Sequence, residues 1–258
     1  KNMYLVDQLT VVIVTYKTNE QILEQCIKSI LGKAKILIVE NSHDQEFKIN
    51  YEKKYPKLEV ILTGSNLGYG AGNNIGISLV KTKYVLISNP DVIYEDDFFN
   101  NLKTYIDADT DFNIIGPVYR SNDYASHGYF DDLKNNDEID DTNHLSLIKT
   151  HWIVGCTMFI NLKKFDNKKL FDENFFLFFE EFDLCRRIIK EGGKIYASKK
   201  LYVKHLGHKG SAIVDPNYEQ ESKFLRSWHW MWSSFYYYEK NFSYFYAIKC
   251  MYGKFLRS

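Results

Sequence analysis

The stretch VVIVTYK, residues 11–17, decides the fold class. Its first four residues are all apolar and β-branched, and three polar residues follow at once. A short, continuous apolar run of this kind predicts a β-strand covered on both faces, as in a parallel sheet. The residues after it, Thr15, Tyr16 and Lys17, would then lie at the carboxyl end of the strand, where open α/β sheets bind their ligands.

Three further apolar runs, at residues 36–39, 60–62 and 84–87, repeat this pattern. Between the first two strands, apolar residues recur at helical spacing from Ile22 to Ile30, after an Asn19 suited to cap the helix. Alternation of strands and helices predicts an α/β domain with a mostly parallel central sheet flanked by helices. The ligand-binding edge would then include Glu40, Asn41 and the residues after 62 and 87.

The bulk composition excludes several classes of protein. The 33 basic residues balance 33 acidic ones, so no global field attracts a nucleic acid. The four cysteines are far apart and form no CxxC pair, which predicts free, buried thiols rather than a zinc site or disulfides. We see no signal peptide and no apolar run of about 18 residues, so we expect a chain that neither spans a membrane nor is secreted.

Residues 66–74 read NLGYGAGNN and carry glycine at every second position from 68 to 72. Such a turn lets the backbone approach a ligand closely, ahead of a helix whose N-terminus favours phosphate. It is neither the GxGxxG of a dinucleotide fold nor a P-loop, so the spacing alone is weak evidence. Asn66 and Asn74 offer both donors and acceptors to a base or a sugar.

Residues 89–91 read Asn-Pro-Asp and follow a predicted buried strand. The Asp91 carboxylate, with help from Asn89, is suited to a hard divalent cation that also binds a diphosphate, because such a cation needs few protein ligands. A simple strand-ending turn is the alternative. His205 and His208 lie among glycines after another short strand, where histidines are more often structural than ligands.

An acidic run, Glu180-Glu181-Phe182-Asp183, directly follows five apolar residues and opens a helix predicted to end at Gly192-Gly193. At helical spacing, Glu180 and Asp183 share one face, whereas Glu181 is predicted to face the core. Desolvation there would raise the pKa of Glu181, which suits a general base. Stabilisation of the helix N-terminus by the acids is the alternative.

The C-terminal stretch is both aromatic and basic. Eleven aromatic residues lie between Trp228 and Tyr246, and from Lys223 onward six Lys or Arg residues stand against Glu239 alone. Trp228, Met231, Trp232, Phe235 and Phe242 recur at helical spacing. A helix of this kind suits a membrane interface, and packing on the catalytic domain or on a second subunit is the alternative.

Taken in order, these motifs resemble the family 2, inverting glycosyltransferases of the GT-A fold, closest to the bacterial rhamnosyltransferase type. The resemblance runs from Val11 to Ser211. It implies a catalytic domain over 1–215, with a nucleotide-sugar-binding half (1–118) and an acceptor-side half (151–215). Between the halves, residues 119–150 are polar and acidic and lack a clear periodicity, which predicts a long loop or lid. A C-terminal helical extension would occupy 216–258.

The resemblance also implies a role for individual residues. The donor-binding set is Thr15, Tyr16, Lys17, Glu40, Asn41, Asn66, Gly68, Asn74, Asn89 and Asp91. The ligands of a Mg²⁺ or Mn²⁺ ion would be Asp91, His205 and Asn89, the acceptor side would carry Trp152, Gly155 and His208, and the base would be Glu181. Trp152 is equally well read as a core tryptophan at a strand start.

Three positions depart from the family pattern: Glu40 and Glu181 stand where aspartate is usual, and Lys17 where asparagine is usual. The longer side chain at 181 leaves Glu180 or Asp183 as alternative bases. The implied reaction transfers a sugar, with dTDP-rhamnose as the first candidate donor, to a glycan or a lipid-linked saccharide of a bacterial surface polysaccharide such as O-antigen. The implied location is the cytoplasmic face of the cell membrane, reached through the C-terminal helix, which is also a candidate oligomer contact.

Two rival functions remain. A sugar-nucleotide nucleotidyltransferase would need a basic, glycine-rich loop after the first strand, and residues 15–17 are nothing like one. A non-catalytic nucleotide-sugar-binding or scaffold subunit is harder to dismiss, because of the two glutamates.

Overall fold

The structure, a computed structural model, describes residues 4–118, 126–133, 146–206 and 216–255, of which 216–222 and 253–255 are described by their backbone alone. All four predicted apolar runs form strands. The strands in the described residues are β1 (Leu9–Thr15), β2 (Lys35–Glu40), β3 (Leu58–Leu62), β4 (Tyr84–Ser88), β5 (Val92–Tyr94), β6 (Ile114–Pro117), β7 (His127–Gly128), β8 (Leu147–Thr150), β9 (Trp152–Ile153), β10 (Thr157–Asn161), β11 (Ile195–Ser198) and β12 (Val203–His205).

The helices are α1 (Glu20–Ile30), α2 (Gln45–Lys54), α3 (Tyr69–Leu79), α4 (Phe98–Asp107), α5 (Glu180–Lys190), α6 (Pro216–Asn241) and α7 (Tyr244–Phe255). As predicted, Asn19 caps α1, since its side-chain oxygen accepts a hydrogen bond from the Ile22 amide at 3.2 Å. The predicted helix after the acidic run is also confirmed as α5, which ends just before Gly192 and Gly193.

Eight strands form the main sheet, in the order β3-β2-β1-β4-β10-β6-β11-β8. β3, β2, β1 and β4 are parallel, and β10 runs antiparallel to both β4 and β6. The predicted α/β class with a mostly parallel sheet is therefore confirmed. Thr15 pairs with Glu40, and Ile13 pairs with Ser88. This register sets the carboxyl ends of β1, β2 and β4 side by side.

Both faces of the sheet are covered, which explains the continuous apolar runs. Successive residues of a strand point to opposite faces. Val11 and Ile13 accordingly pack in one buried cluster with α1 and α4, whereas Val12 and Val14 pack in a second cluster with α3 and α5. As predicted, the four cysteines are free thiols; three are buried and Cys250 is half-buried.

The prediction of an irregular loop over 119–150 is wrong for the part that the structure describes. β7 pairs with β9, and β8 forms an edge of the main sheet beside β11. β7 is only two residues long and β8 mixes apolar with polar residues, so neither gives a clear pattern in the sequence. Residues 119–125 and 134–145, which carry most of the acidic stretch, lie outside the described residues.

α6 and α7 form a C-terminal hairpin whose first helix packs against the segment before α5 and against α5 itself. The Ser233 hydroxyl donates to the Leu177 carbonyl at 2.7 Å. The Lys240 ammonium lies 2.8 Å from the buried Asp183 carboxylate and 2.7 Å from Asp172. Among the described residues, the helices are all too short or too polar to cross a bilayer.

A buried arginine joins the hairpin to two other parts of the fold. Arg186 of α5 is almost wholly buried, and its guanidinium forms an ion pair with Asp132. The same guanidinium lies 4.6 Å from the ring centre of Phe242 and 5.2 Å from that of Phe130. Stacking on aromatic faces supplies partners for a cation that has left water.

Candidate active site

The first part of the site lies at the ends of β1 and β2. The Thr15 hydroxyl donates to the Glu40 carboxylate at 2.6 Å, and the Asn41 amide donates to the Thr15 carbonyl at 2.8 Å. Burial raises the pKa of Glu40, and hydrogen bonds from Thr15 and Ser42 lower it in part. Three predicted donor-binding residues are therefore brought together in one buried cluster.

Tyr16 and Lys17 follow on the exposed side of this cluster. Lys17 has a left-handed backbone, with φ of 47°, and its ammonium lies 5.5 Å from the ring centre of Tyr16. The aromatic ring thus lies beside a cation at the rim of the sheet edge.

Most of the predicted glycine-rich turn is the first part of α3, which begins at Tyr69, and the start of that helix is occupied by the protein's own backbone. Gly68 has φ of 88°, and a Cβ there would lie 2.2 Å from the Phe176 carbonyl oxygen. That same carbonyl accepts the Tyr69 amide at 2.9 Å, and Asn66 accepts the Gly68 amide at 3.1 Å. The first amide of α3 is therefore already bonded within the protein, and the expectation of a phosphate at this helix start is corrected for that amide. Gly68 permits a close backbone-to-backbone contact instead.

Asn74, expected in the nucleoside pocket, is engaged elsewhere. Its side-chain amide donates to the Phe171 carbonyl, and its side-chain oxygen accepts the Phe171 amide, both at 2.9 Å. The same amide donates to Glu173 at 3.1 Å. The Asn74 side chain is buried, so we assign it to holding this segment against α3 and correct its place in the donor-binding set.

The second part of the site is the turn between β4 and β5. The Asn89 amide donates to the Cys156 carbonyl at 2.7 Å, which fixes the turn to the start of β10. Asp91 is buried, and its carboxylate lies 3.3 Å from the Nε2 atom of His205, because β12 pairs with β5. The structure thus brings together two of the three residues expected to bind a metal ion, Asp91 and His205.

This pair fits a hard divalent cation in part. Carboxylate oxygen and imidazole nitrogen are both suitable donors for Mn²⁺ or Mg²⁺. The described part of the chain contains no group of three or more acidic, histidine or cysteine side chains able to hold a metal ion. The remaining ligands would come from a bound diphosphate and water. His208 lies outside the described residues.

Glu181 lies directly beside the start of β10. A Cβ on Gly155 would lie 3.2 Å from both Cβ and Cγ of Glu181, so the glycine leaves room for the carboxylate. The Tyr69 hydroxyl donates to the Gly155 carbonyl at 2.7 Å. The next residue, Cys156, accepts the Asn89 amide through its carbonyl, so the segment just before β10 contacts both the acidic run and the Asn-Pro-Asp turn.

The burial of the acidic run differs from the helical-wheel prediction. Glu180 and Asp183 are buried, whereas Glu181 is only half-buried. The reason is that α5 is covered on two sides, by the Tyr69 end of α3 and by the C-terminal hairpin. Burial raises the pKa of Glu180 and of Glu181, and the charge of Glu181 raises that of Glu180 further.

Asp183 is committed to ion pairs. Its carboxylate lies 3.0 Å from the Arg187 guanidinium and 2.8 Å from the Lys240 ammonium. One carboxylate oxygen is therefore engaged by each cation. We therefore set Asp183 aside as a candidate base.

Trp152 packs within the protein. Its ring lies 5.1 Å from that of Phe182, and its indole edge occupies the space where Gly128 lacks a Cβ. These contacts favour the core interpretation of Trp152 over a sugar platform.

The C-terminal hairpin contributes residues that the sequence did not single out. The Arg226 guanidinium stacks over Phe178 at 5.3 Å; burial lowers its pKa, and the Asp91 charge raises it in part. His229 stacks on Phe176 at 4.4 Å. Phe178 and Phe179 both have left-handed backbones directly before α5, a strained turn that α6 covers. A basic residue at helical spacing among aromatics was the only signal for Arg226.

Comparison with known protein families decides the identity. The family model described as glycosyl transferase family 2 matches residues 10–170. The chain belongs to glycosyl transferase family 2. The matched residues include both β-strand ends, the glycine-rich turn and the Asn-Pro-Asp turn of this family 2 protein.

Two curated relatives of this family 2 protein are similar at low identity. The low-salt glycan biosynthesis hexosyltransferase Agl10 of Haloferax volcanii is 26% identical over 205 residues, which are 72% of this chain and 63% of the relative. The rhamnosyltransferase WbbL of Escherichia coli K12 is 24% identical over 193 residues, 67% of this chain and 73% of the relative. The chain thus spans less than two thirds of the length of Agl10.

Solved structures show the fold of this family 2 protein. GalNAc-T7, solved with UDP, GalNAc and Mn²⁺, superposes with a TM-score of 0.63 at 14% identity, over 78% of this chain and 44% of the other. The mannosyltransferase PcManGT of Pyrobaculum calidifontis, solved with GDP-Man and Mn²⁺, superposes with a TM-score of 0.58 at 14% identity. The match covers 91% of this chain and 64% of the mannosyltransferase. The predicted GT-A fold and family are confirmed.

Proposed function

We propose that this family 2 protein is an inverting glycosyltransferase. It moves a sugar from a nucleoside diphosphate sugar to a hydroxyl of a glycan or lipid-linked saccharide. The observation that carries the proposal is the position of Glu181 against Gly155, one residue from the backbone that fixes the Asn89 turn. A carboxylate with a raised pKa thus lies against the segment that holds the turn carrying Asp91.

In the proposed reaction, Glu181 takes the proton from the acceptor hydroxyl. The acceptor oxygen forms a bond to the anomeric carbon from the face opposite the nucleotide, while the bond to the diphosphate oxygen breaks. The nucleoside diphosphate leaves with the electron pair. Base catalysis of this kind contributes roughly 10²–10⁴-fold.

The leaving diphosphate needs compensation for its growing charge. Asp91 and His205 would hold a divalent cation, which when bound supplies Lewis-acid stabilisation of the diphosphate. We place the Arg226 guanidinium nearby as a further cation for the same phosphate oxygens. The Asp91 charge raises the pKa of Arg226, and the guanidinium stacks on Phe178. Lys17, at the rim of the Thr15–Glu40 cluster, is the second candidate.

The donor and its pathway are finer proposals. The similarity to WbbL and the motif pattern favour dTDP-rhamnose and a surface polysaccharide such as O-antigen. A donor panel of dTDP-, UDP- and GDP-sugars, read by thermal shift with and without Mg²⁺ or Mn²⁺, tests this choice. The largest metal-dependent stabilisation is expected with dTDP-rhamnose, and a larger shift with another donor would reassign it.

The decisive test compares Glu181→Gln with Glu180→Gln. Glu181→Gln should bind the donor like the wild type and lose roughly 10²–10⁴-fold in release of nucleoside diphosphate. Glu180→Gln, a change of the same size one residue away, should lose much less. The opposite ranking would assign the base to Glu180. Equal release by the wild type and Glu181→Gln would remove Glu181 from the role of base, and a wild type that binds the donor but releases no nucleoside diphosphate with acceptor would favour the non-catalytic binding subunit.

A further inference from the structure

Glu180, the first residue of α5, has a side chain that is almost wholly buried, with 5% of its surface exposed. A Cβ built on Gly70 of α3 would lie 3.5 Å from Cβ and 3.7 Å from Cγ of Glu180, so the stem of the glutamate packs against the glycine. Among the described residues, its Oε2 atom has neither solvent contact nor a hydrogen-bond partner. An ionised carboxylate in such a place is costly, because it has left water without gaining partners for its charge.

Two other buried oxygen atoms near the contact between α3 and α5 lack a donor in the part of the chain that the structure describes. They are Oε2 of Glu181 and Oδ1 of Asn73. The side-chain amide of Asn73 donates to the Tyr69 carbonyl at 3.0 Å, and the Tyr69 hydroxyl donates to the Gly155 carbonyl at 2.7 Å. These two donors are therefore already used, whereas acceptor oxygens are in excess.

The Tyr69 hydroxyl indicates that these groups are neighbours. Burial raises the pKa of Tyr69 most, and the charges of Glu180, Cys156 and Glu181 raise it further, while the side chain of Asn73 lowers it in part. One hydroxyl thus interacts with both glutamates and with the asparagine. The three oxygen atoms without a donor belong to one buried cluster.

The cations of this region serve another carboxylate. The Arg187 guanidinium lies 3.0 Å from Asp183, and the Lys240 ammonium lies 2.8 Å from the same side chain. The titratable neighbours on α3 and before β10 are Tyr69 and Cys156, which supply no positive charge. A proton is the remaining way to make the first carboxyl group of α5 compatible with its burial.

We propose that Glu180 is the neutral, proton-bearing member of a carboxyl pair and acts as a positioning residue for Glu181. Its O–H then donates a hydrogen bond within the cluster and leaves Glu181 as the single ionised carboxylate. Two adjacent carboxyl groups that cannot both ionise keep one proton between them. The proton belongs on Glu180, because burial and the charge of Glu181 both raise its pKa. Burial raises the pKa of Glu181 as well, but the backbone amides of Gly155 and Phe182 lower it in part.

This role differs from that of a base, because Glu180 keeps its proton throughout the reaction. The inference rests on the proposed function, in which Glu181 accepts the proton of the acceptor hydroxyl. In that step the bond between the acceptor oxygen and its hydrogen breaks, and the proton is bound by Glu181. Glu180 neither gains nor loses a proton, and its hydrogen bond fixes the orientation of the cluster around the receiving carboxylate.

Substitutions at position 180 separate the donor from the charge. Glu180→Met keeps the length of the side chain but removes the donor, and it should lower kcat roughly 10-fold or more with an unchanged KM for the donor sugar. Glu180→Gln, whose amide N–H replaces the carboxylic O–H, should restore most of the rate. Equal rates for the two variants would overturn the positioning role. Circular dichroism checks that both variants fold.

The pH–rate profile tests the charge of Glu180. The apparent pKa of the acid limb should be the same in the wild type and in Glu180→Gln, because position 180 is neutral in both. If Glu180 were ionised in the wild type, its removal should lower the apparent pKa of the limb by about 1 or more, which would overturn the inference.

Infrared difference spectroscopy tests the proton itself, without donor or acceptor. The spectrum of the wild type minus that of Glu180→Gln near neutral pH should contain the carbonyl stretch of a protonated carboxylic acid. The matched control is Glu173→Gln, because Glu173 is 41% exposed and pairs with Lys169, and this change should remove carboxylate bands alone. Carboxylate bands alone in the Glu180 spectrum would overturn the inference whatever the rates. Failure of the proposed base is a separate result, namely a wild-type rate in Glu181→Gln.

Discussion

Replacing Lys240 by methionine removes the cation that ties α6 to α5, the helix that carries the proposed base. Burial alone would raise the pKa of Asp172, but hydrogen bonds from Lys240, the Asn174 amide and Tyr236 hold it at about 2, against an ordinary 3.8. That difference corresponds to about 2 kcal/mol in favour of the carboxylate, shared among its partners. Asp183, whose side chain is wholly buried, would keep only Arg187.

The expected loss of unfolding free energy is about 2–4 kcal/mol, because a buried carboxylate that loses a cation is costly. Methionine keeps the length and apolar stem of lysine, so packing changes little. The matched control is Lys169→Met. Lys169 lies 2.7 Å from Glu173, but the two side chains are 61% and 41% exposed. That pair should contribute about 0.5 kcal/mol or less.

Urea unfolding near neutral pH, followed by circular dichroism, measures both losses. The sign of the pH dependence follows from Asp172. Because its pKa is lowered in the fold, it stabilises the fold at pH values above its ordinary pKa of 3.8, and this stabilisation is lost as the pH falls. The difference between wild type and Lys240→Met should therefore shrink as the pH falls from about 4 to about 2. Equal losses for the Lys240 and Lys169 variants near neutral pH would refute the reasoning, because docking of α6 would then not depend on the buried pair.

Four further predictions concern the site. Gly68→Ala should lower the free energy of unfolding in urea by several kcal/mol, because the new Cβ meets a backbone oxygen. The control Gly32→Ala should lower it by about 1 kcal/mol, because Gly32 has φ of 77° but open space around the new Cβ. Equal losses in the two variants would contradict the contact at Gly68. The apparent pKa of the acid limb of the pH–rate profile should lie above 4.5, the ordinary pKa of a glutamate, because burial raises the pKa of Glu181 and the base must be ionised. An acid limb with an apparent pKa of 4.5 would remove Glu181 from the role of base. Asp91→Asn should abolish the metal-dependent part of donor affinity in calorimetry, and unchanged affinity would show that the metal binds elsewhere. Arg226→Gln should lower the rate of nucleoside diphosphate release roughly 10-fold or more with the fold intact, and a wild-type rate would confine Arg226 to packing on Phe178.

The sequence predicts the sheet well because its strands are buried on both faces. Continuous β-branched runs such as residues 11–14 have few alternatives, and the carboxyl-end rule correctly gathers Thr15, Glu40 and Asn41 at one edge. Prediction from the sequence fails at β7 and β8, because strands of two residues or of mixed polarity depend on neighbours that are distant in sequence. Local periodicity does not contain that information.

Predictions within the site fail for the same reason. A helical wheel gives the angle between Glu180 and Glu181, but it does not say which elements cover each side of α5. Asn74 follows a glycine-rich stretch and therefore resembles a ligand-binding residue. In the structure its side-chain amide donates to the carbonyl of Phe171, almost a hundred residues later in the chain. Arg226 reaches the site only because α6 docks through Ser233 and Lys240, and no motif in the sequence records that docking.

The stacking of Arg186 bears on the order in which the chain assembles. Its two aromatic partners, Phe130 and Phe242, lie far from it on opposite sides in sequence. During synthesis α5 therefore emerges well before α6 and α7, and until they arrive this cation lacks one of its two ring faces. Contacts of such large sequence separation form late, since closing long loops is entropically unfavourable. The nascent protein therefore completes the surroundings of α5, the helix that carries the proposed base, only when the last two helices dock.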